Sequence, residues 1–291
     1  MADVDIVIFG ASTDIGGRAI ARLRAAGRSV RPVGRVAREA DWAVADLSLP
    51  ETAAAAMQGA RVVVSCAHAG HVPDLLAALP GGVEALVLTG SAWRWSHVGE
   101  PASDLVRRGE AAFLASGLPG AMLHPTMIYG GHQENNLRRL VEMVRKTPVL
   151  PLPGGGRHLV QPVHVEDVAA AVAAAALRPW AGRPWTRAEI IPVPGPAPMP
   201  WRDMARLAAE AVGRRPLFVP VPLGPAIRAL ALAEELGLRL PVRANALRRF
   251  TENVDLSPAP LARELGIAPR PFADGLAEAL AGWGYGPAAG R

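Results

Sequence analysis

Short runs of consecutive apolar residues alternate with amphipathic stretches through the first 130 residues of the chain. The apolar runs have the length of buried strands, and the amphipathic stretches have the period of helices. The pattern predicts strands over residues 5–9, 29–33, 42–46, 61–66, 84–89 and 120–124. It predicts helices over about 15–26, 50–58, 72–79 and 103–116. Such alternation is typical of a parallel sheet covered by helices on both faces, so we expect a doubly wound α/β domain over residues 1–130.

The composition of the chain changes after this domain. Proline and glycine are dense over 148–156 and 192–200, and helical stretches are expected over 165–177 and 204–212. We therefore predict a smaller, mixed and mostly helical C-terminal lobe over residues 131–291, interleaved with the first domain.

A glycine turn lies directly after the first strand and directly before the first helix, and it reads Gly10-Ala11-Ser12-Thr13-Asp14-Ile15-Gly16. A glycine at the end of the strand permits a tight turn, and a second one lets the helix amides face a pyrophosphate. This context predicts a Rossmann dinucleotide site at Gly10, Ser12, Thr13, Asp14, Ile15 and Gly16. Thr13 stands where the three-glycine pattern has its middle glycine, so the match to that pattern is imperfect.

Five further segments resemble motifs of one known family. They are Asp46-Leu47, residues 64–67 (VSCA), residues 89–91 (TGS), residues 124–130 (HPTMIYG) and residues 161–167 (QPVHVED). Together with the glycine turn, they resemble the NAD-dependent epimerase/dehydratase family, the extended and atypical short-chain dehydrogenases/reductases. The resemblance covers nearly the whole chain. It implies that Asp46, Leu47, Ala67, Thr89 and Pro125 contact the cofactor and that Ser91 faces the nicotinamide.

The end of the second strand bears on the choice of cofactor. An NAD site normally carries an acidic residue there, whereas an arginine there binds the 2′-phosphate of NADP. This strand ends without an acid and is followed by Arg35, with Arg38 or Arg31 as helpers. The sequence therefore predicts NADP, with NAD as the alternative. The other interpretation of Arg35 is an ordinary solvated loop arginine.

The catalytic pair of this family, a tyrosine with a lysine four residues later, is missing. Lys146 is the sole lysine, and the two tyrosines are Tyr129 and Tyr285; neither tyrosine has a lysine four residues on. In the helix where the family has the pair, Ala102 and Val106 occupy the two positions.

Two interpretations follow. In the first, the protein is an NAD(P)-dependent oxidoreductase or epimerase-like enzyme for a small carbonyl or hydroxyl compound, with a non-standard site. The resemblance places its candidate catalytic groups, Ser91, Tyr129 and His124, at the nicotinamide end, with His97 as a further candidate. In the second, the protein keeps its nucleotide as a scaffold or redox sensor, like an accessory subunit of respiratory complex I.

Several of these side chains have structural interpretations as well. His124 and His164 fit buried core histidines, and an unassisted tyrosine has a pKa near 10, so Tyr129 alone would orient a substrate. Trp93 and Trp95 are expected either to wall the nicotinamide or to cover an interface between the lobes.

Composition excludes several classes of function. The formal charge is +5, but acidic and basic residues are interleaved and no Lys/Arg run exceeds two, which disfavours nucleic-acid binding. Cys66 is the single cysteine, so no internal disulfide and no cysteine-based metal cluster is expected. No apolar run approaches a membrane span and no signal peptide is recognised, so we expect a cytoplasmic protein with a small-molecule substrate and no metal. The sequence leaves the oligomeric state open, and a homodimer is one alternative.

Overall fold

A computed structural model describes residues 4–133, 136–238 and 244–285 of the chain. The strands are β1 (Val4–Phe9), β2 (Val30–Gly34), β3 (Ala43–Val44), β4 (Ala60–Ser65), β5 (Ala85–Thr89), β6 (Gly120–Pro125), β7 (Ile128–Tyr129), β8 (Val149–Pro153), β9 (Leu159–Val160), β10 (Val163–His164), β11 (Ala188–Val193), β12 (Met199–Pro200) and β13 (Leu217–Val221). The helices are α1 (Asp14–Ala25), α2 (Pro50–Met57), α3 (Val72–Ala77), α4 (Pro101–Ala115), α5 (Asn136–Lys146), α6 (Val165–Leu177), α7 (Trp201–Ala211), α8 (Leu223–Glu235), α9 (Ala244–Arg248), α10 (Ala259–Leu265) and α11 (Phe272–Gly282).

A seven-stranded sheet forms the centre of the molecule, with the strand order β11-β6-β5-β4-β1-β2-β3. Every neighbouring pair in it is parallel. The first six strands have the doubly wound order, in which strands are added to one side of β1 up to β3 and to its other side from β4 onwards. The predicted α/β Rossmann fold is therefore confirmed. The sequence pattern missed the seventh strand, β11, which pairs with β6 along its whole length.

The sheet carries a core on each face because its strands are apolar at consecutive positions. In β1, Ile6 and Ile8 pack into one core together with the helices α1 and α6. Val7 and Phe9 point the opposite way, into a second core shared with α2, α3 and α4. Successive side chains of a strand point to opposite faces, so this alternation is the expected outcome of a sheet buried on both sides.

The alanine-rich helix α6 packs against α1 and the sheet. Its small side chains allow the close approach, and it spans the residues predicted for it. Both α6 and β11 come after residue 130, yet both pack into the central α/β layers. A third core, formed mainly by α5, α7, α11 and β8, holds the C-terminal lobe together. Among the described residues, three two-stranded sheets lie outside the central sheet: β7 with β10, β8 with β13 and β9 with β12.

Candidate active site

The strands of the central sheet end at one common edge. The register pairs Phe9 with Ser65, Ser65 with Leu88, and Leu88 with Met122. The residues that follow these positions, including the glycine turn, therefore lie side by side at the carboxyl edge of the sheet. In doubly wound sheets, ligands bind in the crevice at this edge, where the strand order reverses. We call this crevice the cleft.

The glycine turn needs glycine at two positions for close packing. Gly10 has a φ of +72°, and a Cβ on it would lie 2.7 Å from the carbonyl carbon of Cys66, at the end of β4. A Cβ on Gly16 would lie 2.3 Å from the carbonyl oxygen of Gly10. Both approaches are closer than a side chain permits, so β1, α1 and the residues after β4 meet here only because side chains are absent.

Thr13 caps helix α1 and so accounts for the missing middle glycine. Its hydroxyl accepts a hydrogen bond from the Gly16 backbone N–H at 3.0 Å and donates one to the Gly10 carbonyl at 2.8 Å. The amides of Asp14 and Ile15 begin the helix, where backbone N–H groups have no intrahelical partner. These amides and the helix dipole make this end of α1 suitable for an anion such as a pyrophosphate.

Asp14 fastens the C-terminal lobe to the glycine turn. Its carboxylate accepts the backbone N–H of Gln133 at 2.7 Å, and the Gln133 side chain donates to the Ser12 carbonyl at 2.9 Å. Burial acts to raise the pKa of Asp14, but the backbone bonds from Gln133 and His132 and the charge of Arg18 outweigh it. They hold the pKa below its usual value. Asp14 therefore remains a carboxylate that holds the segment before α5 at the cleft.

Arg35 and Asp46 lie near each other beyond the ends of β2 and β3. The Ser48 backbone N–H and hydroxyl bond the Asp46 carboxylate at 2.9 and 2.8 Å. These bonds lower the pKa of Asp46, and the charge of Arg35 adds to the effect. Arg35 is exposed, while the neighbouring Leu47 is buried.

Arg31 does not fit the role of a helper to Arg35. Its guanidinium donates to the carbonyls of Ala56 and Gln58, at 2.9 and 2.8 Å, where helix α2 ends. Arg31 lies within β2, paired with Val7, so it is held away from the carboxyl edge. Arg38 lies in the exposed segment after β2.

A buried ionic cluster that the sequence did not reveal lies directly behind Ser91, at the carboxyl edge of the sheet. Glu110 of α4 accepts two bonds from the Arg94 Nε, at 2.7 and 2.9 Å, and its Oε2 lies 3.0 Å from Nε2 of His124. The side chain of Glu110 is only 6% exposed, and that of His124 is fully buried. Burial by itself would raise the pKa of Glu110, but His124 and Arg94 together lower it to about 2. Glu110 is therefore a carboxylate throughout the physiological range.

His124 uses both ring nitrogens inside the protein. Its Nδ1 lies 3.0 Å from the backbone nitrogen of Ser91 and 2.9 Å from the Ser91 carbonyl oxygen, and its Nε2 faces Glu110. Gly90 leaves room for this ring, because a Cβ there would lie 2.5 Å from it. The Trp95 ring packs edge-on against it at 5.3 Å. His124 therefore positions the main chain of Ser91 and does not itself reach the cleft.

Ser91 begins the 3₁₀ turn Ala92–Trp95, directly after β5. Its Oγ accepts the backbone N–H of Trp93 at 3.3 Å. An oxygen that accepts this bond keeps its own proton for a ligand. Ser91 is half-buried, as is Thr89 at the end of β5, whereas Pro125 at the end of β6 is buried.

Tyr129 lies outside the cleft. Its ring is fully buried in the core of the C-terminal lobe, packed against His164 and Phe272. Its hydroxyl is 3.5 Å from the carbonyl oxygen of Phe272 and so close to Gly275 that no side chain fits there. Burial raises the pKa of Tyr129 above its ordinary value. The structure therefore places this hydroxyl where it packs two parts of the lobe together.

The helix expected to carry the tyrosine–lysine pair has neither group. Val106 is buried in the core, and Ala102 lies at the start of α4. Residues four apart share a helix face, so Glu110 lies one turn beyond Val106 on that face. The helix thus has no lysine at position 106, and one turn further on it contributes the Glu110 carboxylate to the cluster.

The polar side chains of residues 161–167 bind other parts of the protein and so stabilise the fold. The Gln161 side chain bonds the backbone of Gly195 and Leu256. The Nδ1 of His164 accepts the backbone N–H of Glu166 at the start of α6, and Asp167 binds Arg270. His164 is therefore a buried residue that caps α6, which agrees with its interpretation as a buried core histidine.

The C-terminal part of the chain covers the segment after Ser91. The guanidinium of Arg249 lies 4.1 Å from the centroid of the Trp93 ring. The Glu252 carboxylate accepts the Ser96 hydroxyl and the backbone N–H of His97, at 2.7 and 2.6 Å. Trp93 therefore stands at an interface between the lobes, one of its two expected roles.

Two further observations concern the described residues. No group of three or more His, Cys, Asp or Glu is placed to hold a metal ion there. No helix in that part of the chain is long and apolar enough to cross a membrane.

Comparison with known proteins bears on the fold. No protein-family model matches the sequence, and a comparison with curated proteins gives no match. Solved structures do share the fold. A UDP-glucose-4-epimerase from Stenotrophomonas maltophila with bound NAD superposes with a TM-score of 0.71 at 18% identity, covering 97% of each chain.

Two reductases are also similar. The Citrobacter sp. triphenylmethane reductase complexed with NADP(H) has a TM-score of 0.71 at 17% identity, covering 95% of this chain and 100% of its own. An NADPH-dependent quinone oxidoreductase from Escherichia coli has a TM-score of 0.72 at 16% identity, covering 93% and 98%. Identities this low show a shared fold. That fold is the one implied by the resemblance to the epimerase/dehydratase family of short-chain dehydrogenases/reductases.

Proposed function

We propose that the chain is an NADP(H)-binding protein of the short-chain dehydrogenase/reductase type that acts as an oxidoreductase or epimerase-like enzyme on a small carbonyl or hydroxyl compound. The observation that carries this proposal is the packing of Gly10 and Gly16. A Cβ at either position would collide with backbone, so both positions require glycine, at the point where α1 directs its first amides into the cleft.

The residues present fit a dinucleotide. The amides of Asp14 and Ile15 suit the pyrophosphate, and Asp46 lies beyond β3, where the resemblance has the adenine. Ala67 is the second residue after β4, and Thr89 and Pro125 are the last residues of β5 and β6, along the same edge. When bound, the dinucleotide supplies a nicotinamide ring that gives or takes a hydride.

Ser91 is the residue that we assign to the substrate. Its hydroxyl keeps a proton to donate to a carbonyl oxygen, because the Trp93 N–H already occupies one of its acceptor positions. His124, held by Glu110, fixes the Ser91 backbone from behind. His124 and Glu110 are therefore positioning residues in this proposal, and Ser91 is the catalytic one.

The preference for NADP rests on Arg35. It follows β2, is exposed at the carboxyl edge, and has no acidic residue before it at the end of that strand. A guanidinium binds a phosphate through paired hydrogen bonds, and a hydrogen bond to a charged group contributes roughly 1.5–3 kcal/mol. We expect Arg35→Ala to weaken NADPH binding by about 10- to 100-fold and to leave NADH binding unchanged.

Calorimetric titration of the full chain with both dinucleotides measures this effect. Arg183→Ala is the matched control, since it removes an exposed arginine from the loop after α6. Equal affinity for NADPH and NADH, with Arg35→Ala without effect, would overturn the assignment of Arg35.

A second function, retention of the dinucleotide without turnover, is favoured by one observation. Two of the titratable candidates are withdrawn from the cleft, because Tyr129 is buried in the C-terminal lobe and His124 faces Glu110 and Ser91. The test is to offer aldehydes, ketones and sugar nucleotides to the loaded protein while following the absorbance of reduced nicotinamide. Turnover that falls 10²- to 10⁴-fold in Ser91→Ala supports the enzyme. Tight binding without turnover across the panel supports the second function.

A further inference from the structure

Two side chains of rare types in this sequence meet away from the cleft. Lys146 is the sole lysine, and Tyr285 is one of two tyrosines. Both line a concave surface between the end of α5 and the segment that follows α7, together with Arg145 and Arg214. With Arg215, which lines its continuation, we call this surface the basic groove.

The basic groove has the dimensions of a small-molecule site. It consists of two adjoining concavities of about 340 and 380 Å³, and Arg145, Lys146 and Arg214 line both of them. Ligand pockets for small molecules typically start at about 300 Å³. The groove is therefore large enough to hold a small molecule.

Its positive charges are not balanced. Within the described ranges, none of its four cations makes an ion pair. One acidic residue, Glu142, lines it, and that carboxylate lies 3.4 Å from Arg138 of the same helix. Like charges gathered in a concavity reinforce each other's field and attract anions. The groove therefore favours a negatively charged occupant.

The C-terminal end of α5 explains part of the positive charge of the basic groove. Arg145 and Lys146 lie in the last turn of α5, where cations interact favourably with the helix dipole. Arg214 lies beyond α7, whose last carbonyls already accept the backbone N–H groups of Gly213 and Arg214 itself. The Arg214 and Arg215 side chains are thus not needed to complete that helix end, yet they extend the charge that α5 presents.

The groove also holds one of its arginines in place. The guanidinium of Arg145 lies 4.5 Å from the centroid of the Tyr285 ring, which is a cation–π contact. A positioned guanidinium suits the paired hydrogen bonds of a phosphate, and a lysine adds a mobile point charge. We propose that the basic groove binds a small molecule that carries two or more phosphate groups.

This site is separate from the cleft. Gln133, before α5, is bonded to the glycine turn, whereas Lys146 is the last residue of α5. The helix has 11 residues, so its two ends are roughly 16 Å apart. A ligand in the groove therefore does not overlap the pyrophosphate position at α1.

Titration of the full chain with sodium pyrophosphate tests the proposal, with and without saturating NADPH to occupy the cleft. We expect pyrophosphate to bind in both conditions. The double variant Lys146→Gln/Arg214→Gln should weaken this binding at least tenfold, because two of four cations are lost. Both side chains are exposed, so the fold is retained, which a thermal melt checks.

The double variant Arg183→Gln/Arg228→Gln is the matched control, since it removes the same charge from exposed positions elsewhere. Absence of pyrophosphate binding, or equal weakening in both double variants, would overturn the site. Flotation with phosphatidylcholine vesicles that contain phosphatidylglycerol covers the other source of phosphate. Vesicle binding that needs Lys146 and Arg214, without pyrophosphate binding, would overturn the small-molecule assignment in favour of a lipid headgroup.

Discussion

Replacing Glu110 by glutamine removes the negative charge that both Arg94 and His124 face, and it changes the shape of the side chain very little. The carboxylate has a pKa of about 2 in the folded protein, against an ordinary value of 4.5. A group whose pKa is lowered by folding stabilises the native state above the unfolded pKa and loses that effect as the pH falls towards the folded pKa. The window for Glu110 therefore runs from about pH 4.5 down to about pH 2.

The size of the effect follows from the same values. A tenfold change in acidity is worth about 1.4 kcal/mol, so the fall in pKa corresponds to at most roughly 3 kcal/mol. Solvent near the cleft screens these charges, and we expect Glu110→Gln to lower the free energy of unfolding by about 1–3 kcal/mol at pH 7. At pH 3, the difference between the wild type and the variant should fall by about half.

Urea unfolding of both proteins at pH 7 and pH 3 measures these differences. Glu84→Gln is the matched control, because its carboxylate pairs with Arg61 at 2.8 Å but is 45% exposed. Exposed ion pairs contribute about 0–1 kcal/mol, so the control should lose little. A loss for Glu110→Gln that is no larger than that of the control, or that is the same at both pH values, would refute the role given to the cluster.

Two further variants test the cleft. Gly16→Ala should weaken dinucleotide binding at least tenfold, because its Cβ would lie 2.3 Å from the Gly10 carbonyl oxygen, whereas Gly17→Ala, with its nearest atom 3.7 Å away, should bind normally. Fluorescence titration with NADPH compares the two, and similar affinities would contradict the packing argument. Tyr129→Phe should leave binding and turnover unchanged and cost less than about 1 kcal/mol of stability, because its hydroxyl makes only a 3.5 Å contact with Phe272. A large loss of turnover with normal stability would contradict this structural role and show that Tyr129 belongs to the active site.

The sequence pattern was sufficient for most of the central sheet. Buried parallel strands require consecutive apolar residues, so β1 and β4–β6 stand out wherever such a run ends at a glycine or a polar residue. The strand β11 does not have that form. Glu189 and Pro192 interrupt its apolar residues, and proline-rich sequence follows it, so its place beside β6 depends on a tertiary contact that no local pattern contains.

The cluster beside the cleft was hidden for a similar reason. Arg94, Glu110 and His124 each come from a different element of the chain. Their spacing matches no motif. The one available signal was a carboxylate on the helix face that carries Ala102 and Val106. By contrast, Tyr129 belongs to a recognisable motif, but burial in the C-terminal lobe decides what its hydroxyl does.

The late arrival of β11 has a consequence for synthesis of the chain. Strand β6 ends at Pro125, and its partner begins only at Ala188. At roughly 5–20 residues per second, a ribosome needs several seconds to make the intervening segment. During that interval, the hydrogen-bonding edge of β6 has no neighbour on one side, and unpaired edges of this kind promote association between chains. The newly made N-terminal half is thus exposed to association with other chains until β11 is added to the sheet.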